Sequence, residues 1–202
     1  MEIDKTAIIL DAASKIFEKY GYQKTSMDDI AREAMIGKGT IYYYFSSKED
    51  IFIAVLEKFL KEMIENITEK INNADTFEEK FKIFFNEPHK SLINESTLMN
   101  QLWNADAHAF MNKLNAFKNE THDKLKNLMM EIFRYGVETG NINEQYIGSV
   151  EKIVNIIHGY ILASSEYFKQ HLSHQCTPEH YEDHLLFTDI FLNGLLKREK
   201  RK

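Results

Sequence analysis

Residues 26–50 read Ser26-Met27-Asp28-Asp29-Ile30-Ala31-Arg32-Glu33-Ala34-Met35-Ile36-Gly37-Lys38-Gly39-Thr40-Ile41-Tyr42-Tyr43-Tyr44-Phe45-Ser46-Ser47-Lys48-Glu49-Asp50. Ser26 to Asp29 is a capping box, and Met27, Ile30, Ala31 and Ala34 make one apolar helical face. A break follows at Met35–Gly39. Thr40–Phe45 would be a strand by propensity, since every residue is β-branched or aromatic. A lone six-residue strand has no partner among helical neighbours, so a short helix is predicted instead. Ser46–Asp50 then caps a long helix.

Upstream, Ile8, Ile9, Ala12, Ala13, Ile16, Phe17 and Tyr20 recur at helical spacing, with Gly21 as the stop. Downstream, pairs from Ile51/Phe52 to Met63/Ile64, then Ile67 and Ile71, mark one helix over about 47–72. Thr76-x-x-Glu79 opens another, which Pro88 is expected to end or bend. A weakly patterned helix is expected around Leu92–Asn104 and a long one over His108–Thr139, stopped by Gly140. Tyr146–His171 reads as one helix, apolar almost all round between Ile153 and Ala163. Thr177-Pro178-Glu179 starts the last, to about Lys197.

Composition agrees. Eight Gly and two Pro in 202 residues leave too few turns for a sandwich or barrel. No Gly-rich strand-to-helix turn supports a doubly wound sheet. The chain is therefore all-α, about nine helices. Residues 1–50 form a three-helix helix-turn-helix domain, with the motif at about 26–45. A helical body over 51–202 is joined to it by the helix 47–72. One cysteine, Cys176, fits a reducing compartment. The acidic start and Asp11 behind Ile8-Ile9-Leu10 argue against a signal peptide, and no stretch reaches a membrane span. A cytoplasmic protein is expected.

Net charge is −6, but unevenly spread. Residues 1–50 hold 7 basic and 9 acidic side chains, 51–196 hold 13 and 21, and 197–202 hold 5 and 1. Ile36–Lys48 carries Lys38 and Lys48 and no acid. A small basic strip on an acidic body is compatible with DNA binding.

In this region the sequence resembles the TetR family of bacterial transcriptional regulators. The likeness runs through Phe17, Gly21, Thr25, Ser26, Asp29-Ile30-Ala31, Ala34, Lys38-Gly39-Thr40-Ile41-Tyr42, Tyr44-Phe45, Lys48-Glu49 and Ile51-Phe52. Beyond residue 60 only Gly136-x-x-x-Gly140-x-Ile142 adds to it. Family members often have Gly where this chain has Met35, and Ser where it has Gly37. The resemblance implies a homodimeric, ligand-responsive regulator, most often a repressor, whose partners are operator DNA and a small, largely hydrophobic effector.

It also implies site residues. Lys38 and Tyr43 lie on the recognition helix, where side chains reach base edges. Thr25 and Ser26 face a phosphate at the start of the preceding helix, and Gly39 permits close approach of the backbone. Thr40, Tyr42 and Tyr44 line the groove wall, with the Tyr42 ring also in the small core, where Phe45 packs. Lys48 adds a cation at the start of the long helix. An effector cavity in the body is expected among Trp103, Asn104, His108, Phe133, Asn155 and His158. Dimerisation is expected through the last two helices, at Gly159, Ile161, Phe187, Phe191 and Leu195.

Three competing readings are weaker. His171, His174, Cys176, His180 and His184 could serve a metal-responsive regulator, but their spacing is no closed zinc signature, and no metal or other cofactor is expected. No G-x-S-x-G, H-E-x-x-H or P-loop supports an enzyme. A helical adaptor binding only protein leaves the tyrosine-rich strip without a purpose.

Overall fold

The computed structural model describes residues 4–94, 107–171 and 178–196, and side chains for most of them. Nine helices are present among these residues: α1 (Lys5–Tyr20), α2 (Met27–Glu33), α3 (Lys38–Tyr44), α4 (Lys48–Asn73), α5 (Phe77–Asn94), α6 (Ala107–Glu138), α7 (Glu144–Ile147), α8 (Val150–His171) and α9 (Pro178–Leu195). The one strand-like feature described is an isolated antiparallel bridge, Ile142–Leu196. None of the described helices is long and apolar enough to cross a membrane.

Local chemistry sets the boundaries. Asp4 caps α1, its Oδ1 accepting from Thr6 N at 2.9 Å. Gly21, at φ +86°, ends that helix by returning its N–H to the Phe17 carbonyl. The Thr76/Glu79 capping box opens α5 as its spacing predicts. Gly140, at φ +70°, follows α6.

The chain folds as two compact units. The first takes residues up to Glu62 and the first described residues of α6, 107–118. Its core joins Ile9, Ala13 and Phe17 of α1, Ile30 and Ala31 of α2, Ile41 of α3, and Ile51, Phe52, Val55 and Leu56 of α4. The Phe17 and Phe52 rings meet edge-to-face at 5.2 Å. The division falls inside α4, rather than at residue 50, because the first turns of α4 belong to this core.

The second unit holds residues 63–94 and those from 119 onward. Its core is aromatic: Phe77, Phe81, Phe84 and Phe85 of α5 meet Met129 and Phe133 of α6, Val154 and Ile157 of α8, and Leu192 and Leu195 of α9. Asn143 N bonds the Leu195 carbonyl at 2.9 Å, fastening the end of α9 to the turn after α6.

One of the two alternatives for Pro88 and one helix boundary are corrected. Pro88 does not end α5, which continues to Asn94. The proline removes the donor that would serve the Phe84 carbonyl. Next to it, the Phe85 carbonyl meets His184 Nε2 of α9 at 2.7 Å, so packing against α9 supports the helix here. Nor is Tyr146–His171 one helix. Gly148 closes the short α7, and α8 starts afresh at Val150. The segment expected around Leu92–Asn104 lies outside the described residues from position 95.

Candidate nucleic-acid interface

α3 is attached to its unit by one fully buried side chain, Ile41, with Phe45 half-buried behind it. Its outer surface is left bare. Tyr43 is 83% exposed, Tyr42 48% and Tyr44 41%. Tyr43 and Tyr44 meet edge-to-face at 5.1 Å. The Tyr42 ring therefore stands outside the core, contrary to the expectation that it fills it. Lys38 Nζ lies 6.0 Å from that ring and pairs with Asp28 Oδ1 at 2.6 Å. The Asp28 hydrogen bond holds the Lys38 ammonium above the usual lysine range. Lys38 can reach a base only by exchanging that partner, which sequence spacing did not reveal.

At Gly39 a Cβ would meet nothing within 4 Å. Among the described residues nothing packs on this side of α3, so the backbone there is open to solvent. Thr40 is half-buried. Gly37 caps α3 without a side-chain bond, and Met35 ahead of it has φ +55° with its side chain fully in solvent.

Three expected phosphate ligands are otherwise engaged. Thr25 is 3% exposed, and its hydroxyl donates to the Gly21 carbonyl at 2.8 Å. Ser26 Oγ accepts from Asp29 N at 3.2 Å and donates to Asp29 Oδ2 at 2.5 Å. Those Ser26 bonds hold the Asp29 carboxyl below its usual range, and so place an anion where a phosphate was expected. Lys48 Nζ donates to the carbonyls of Tyr22 and Thr25, both at 2.7 Å, and lies 4.2 Å from the Tyr22 ring centre. Burial lowers its pKa. The exposed set is thus Lys38, Gly39, Tyr42, Tyr43 and Tyr44: a cation and three phenols beside a backbone free of Cβ. Such a surface suits phosphate oxygens and base edges together.

The other predicted sites separate. Phe133 is fully buried among Phe77 and Phe81, a core residue. Asn155 is exposed. His158 faces His122 of α6, ring centres 5.8 Å apart, and its Nε2 is buried without a hydrogen-bond partner. Trp103 and Asn104 lie outside the described residues, as does the side chain of His108. Leu195 is 5% exposed, Phe191 stacks on Phe81 at 6.1 Å, and Ile161 packs on the same core. Phe187 stacks on Phe191 at 6.0 Å. Of the expected dimer residues only Gly159 is exposed. Among the described side chains of these helices the bare apolar ones are instead Ile156, Leu186 and Ile190, at 67%, 61% and 65%. Periodicity marked both helices as over-apolar but not which stripe the protomer keeps for itself.

The metal reading loses His184, whose Nε2 meets the Phe85 carbonyl. His174 and Cys176 lie outside the described residues, as do the side chains of His171 and His180. No group of three or more His, Cys, Asp or Glu among the described residues could hold an ion.

The sequence profile of bacterial regulatory proteins of the tetR family matches residues 9–55. That span opens on the first buried residue of α1 and ends in the buried first turns of α4. Residues 9–55 carry the tetR-family domain. The chain is similar to the HTH-type transcriptional regulator YhgD of Bacillus subtilis, 42% identical over 79 residues, 39% of this chain and 41% of that protein. It thus spans less than half of that relative. The fatty acid metabolism regulator protein of Bacillus subtilis is 29% identical over 136 residues, 67% of this chain and 70% of that one. In fold, a TetR-family transcriptional regulator from Pectobacterium atrosepticum superposes with a TM-score of 0.69 at 19% identity, covering 96% of this chain and 95% of its own. These relatives are regulators of transcription, and this chain carries the DNA-binding domain of a TetR-family regulator.

Proposed function

We propose that this TetR-family regulator is a repressor that binds operator DNA as a homodimer, with α3 in the major groove, and leaves it when a small apolar effector enters the second unit. The observation that carries the reading is the α3 surface, three adjacent exposed tyrosines with Lys38 and Gly39 beside them. Tyr43 and Lys38 are assigned to base edges, Tyr42 and Tyr44 to phosphates. A recognition unit this small covers few base pairs, so useful affinity needs two half-sites and two protomers.

Ile156 of α8 and Leu186 and Ile190 of α9 support the dimer, because solvent-facing apolar side chains of this size favour burial by a second copy. The similarity to a fatty acid metabolism regulator makes long-chain acyl compounds the first effector class to test. Within the second unit, His158 offers a buried nitrogen that could orient a polar end. α4 is continuous from Lys48 to Asn73 and belongs to both units, which suits a stiff connection between effector and DNA.

Selection of duplexes from a random pool, followed by binding across salt concentrations, tests the reading. A two-half-site sequence bound with a steep salt dependence is expected. Tyr43→Ala should lower discrimination against mismatched sites by about 1–3 kcal/mol. Ile190→Glu should yield folded monomers that bind DNA poorly. Absence of any preferred duplex, or a Tyr43→Ala protein that discriminates as well as the parent, overturns the assignment.

A further inference from the structure

We infer that Lys48 is a positioning residue, which fastens the loop between α1 and α2 to the start of α4 and does not itself contact a phosphate. The inference rests on the DNA-binding reading above. An ammonium has three N–H donors. Two of them end on carbonyls of one loop, Tyr22 and Thr25, at 2.7 Å each. The Tyr22 ring covers the cation at 4.2 Å, and that ring packs on Phe52 of α4 at 4.7 Å and Phe17 of α1 at 5.8 Å. The same loop is closed from its other end by the Thr25 hydroxyl on the Gly21 carbonyl. Charge-assisted bonds to two carbonyls, with an aromatic face beside them, form a stronger set than one solvent-screened phosphate contact would replace.

The consequence is mechanical. Lys48 is the first residue of α4, and the loop it grips leads directly to Ser26, the cap of α2. Ten residues further along α4, Lys58 grips Asp11 of α1 at 2.5 Å, so the helix has a second anchor. A shift of the α4 first turn therefore carries the loop and α2 with it. Lysine at this position transmits the place of α4 to the DNA-reading surface.

The test compares the parent with Lys48→Met and Lys48→Arg on a duplex selected by the parent protein, across a salt series, with amide hydrogen exchange on the free proteins. Lys48→Met should bind about tenfold or more weakly, while log K against log salt keeps the parent's slope. Lys48→Arg keeps the charge, but its longer, planar guanidinium does not fit the place of a compact ammonium between two carbonyls and the Tyr22 ring, so it too should bind more weakly. Exchange should quicken from Tyr22 to Ile30 in both. A slope flatter by about 0.9 for each lost contact, with Lys48→Arg at parental affinity, means a phosphate ligand and overturns the inference. Unchanged affinity overturns it as well. If Lys48→Met does not fold, Lys48→Arg alone decides by the same criteria. A parent protein with no salt-sensitive DNA binding defeats the functional reading itself, and unaltered exchange would then dispose of the loop clamp separately.

Discussion

At Met35 a side chain with a Cβ occupies a left-handed backbone, φ +55°, in the turn between α2 and α3. That conformation costs an L-residue about 1–2 kcal/mol relative to glycine. Nothing repays it, since the side chain is 91% exposed. Glycine would lose roughly 0.5–1 kcal/mol more chain entropy on folding. Met35→Gly should therefore stabilise the protein by a net of about 0.5–1 kcal/mol in denaturant unfolding. An unchanged or lower midpoint would show that the methionine makes contacts that compensate. At this scale the sequence indicated which residue types gather around α3, but not where they point. Thr25, Ser26 and Lys48 are as suited to phosphate as to backbone, and only their neighbours decide. Thr25 turns inward because Gly21 leaves a carbonyl within its reach, and Lys48 turns inward because two carbonyls and a ring converge on it. Neither neighbour is adjacent in sequence to Lys48.

Among the elements, α5 and α6 show how closely the second core is fitted. A Cβ on Gly136 would lie 2.5 Å from Phe77 Cδ2 and 3.0 Å from Ile142 Cδ1. Phe77 cannot swing aside, being 1% exposed and held by Phe81 and Phe133. Overpacking costs up to about 3 kcal/mol, against which alanine's better helix propensity returns about 1 kcal/mol. Gly136→Ala should thus cost about 2 kcal/mol by chemical denaturation, and a neutral result would mean that this interface is loose. The helices themselves were readable from apolar periodicity and caps, and even Thr40–Phe45 was recovered once its neighbours were weighed against its strand propensity. Of the two outcomes expected at Pro88, the ending does not occur, and at Gly148 a helix breaks where one was expected. Packing by α9 carries α5 through a proline, whereas Gly148-Ser149 interrupts the chain ahead of the apolar stretch that starts at Ile153.

For the molecule as a whole, pH is a direct probe of packing in the second unit. Burial lowers the pKa of His158, with the Lys126 charge adding to the effect and Asp123 opposing it. Burial likewise lowers that of His184, and its bond to the Phe85 carbonyl opposes this. Both groups take up a proton more readily unfolded, near the ordinary 6.5, than folded. Stability should be level above about pH 6.5 and decline as pH falls through the lowered folded values. Thermal unfolding at stepped pH would check this, with His184→Gln flattening part of the decline; a midpoint rising on acidification would contradict it. The two cores, finally, have no buried side chain in common among the described residues. A lineage can thus replace the aromatic packing of the second unit while inheriting the core that holds α3 intact. Drift in one core then leaves the packing of the other untouched.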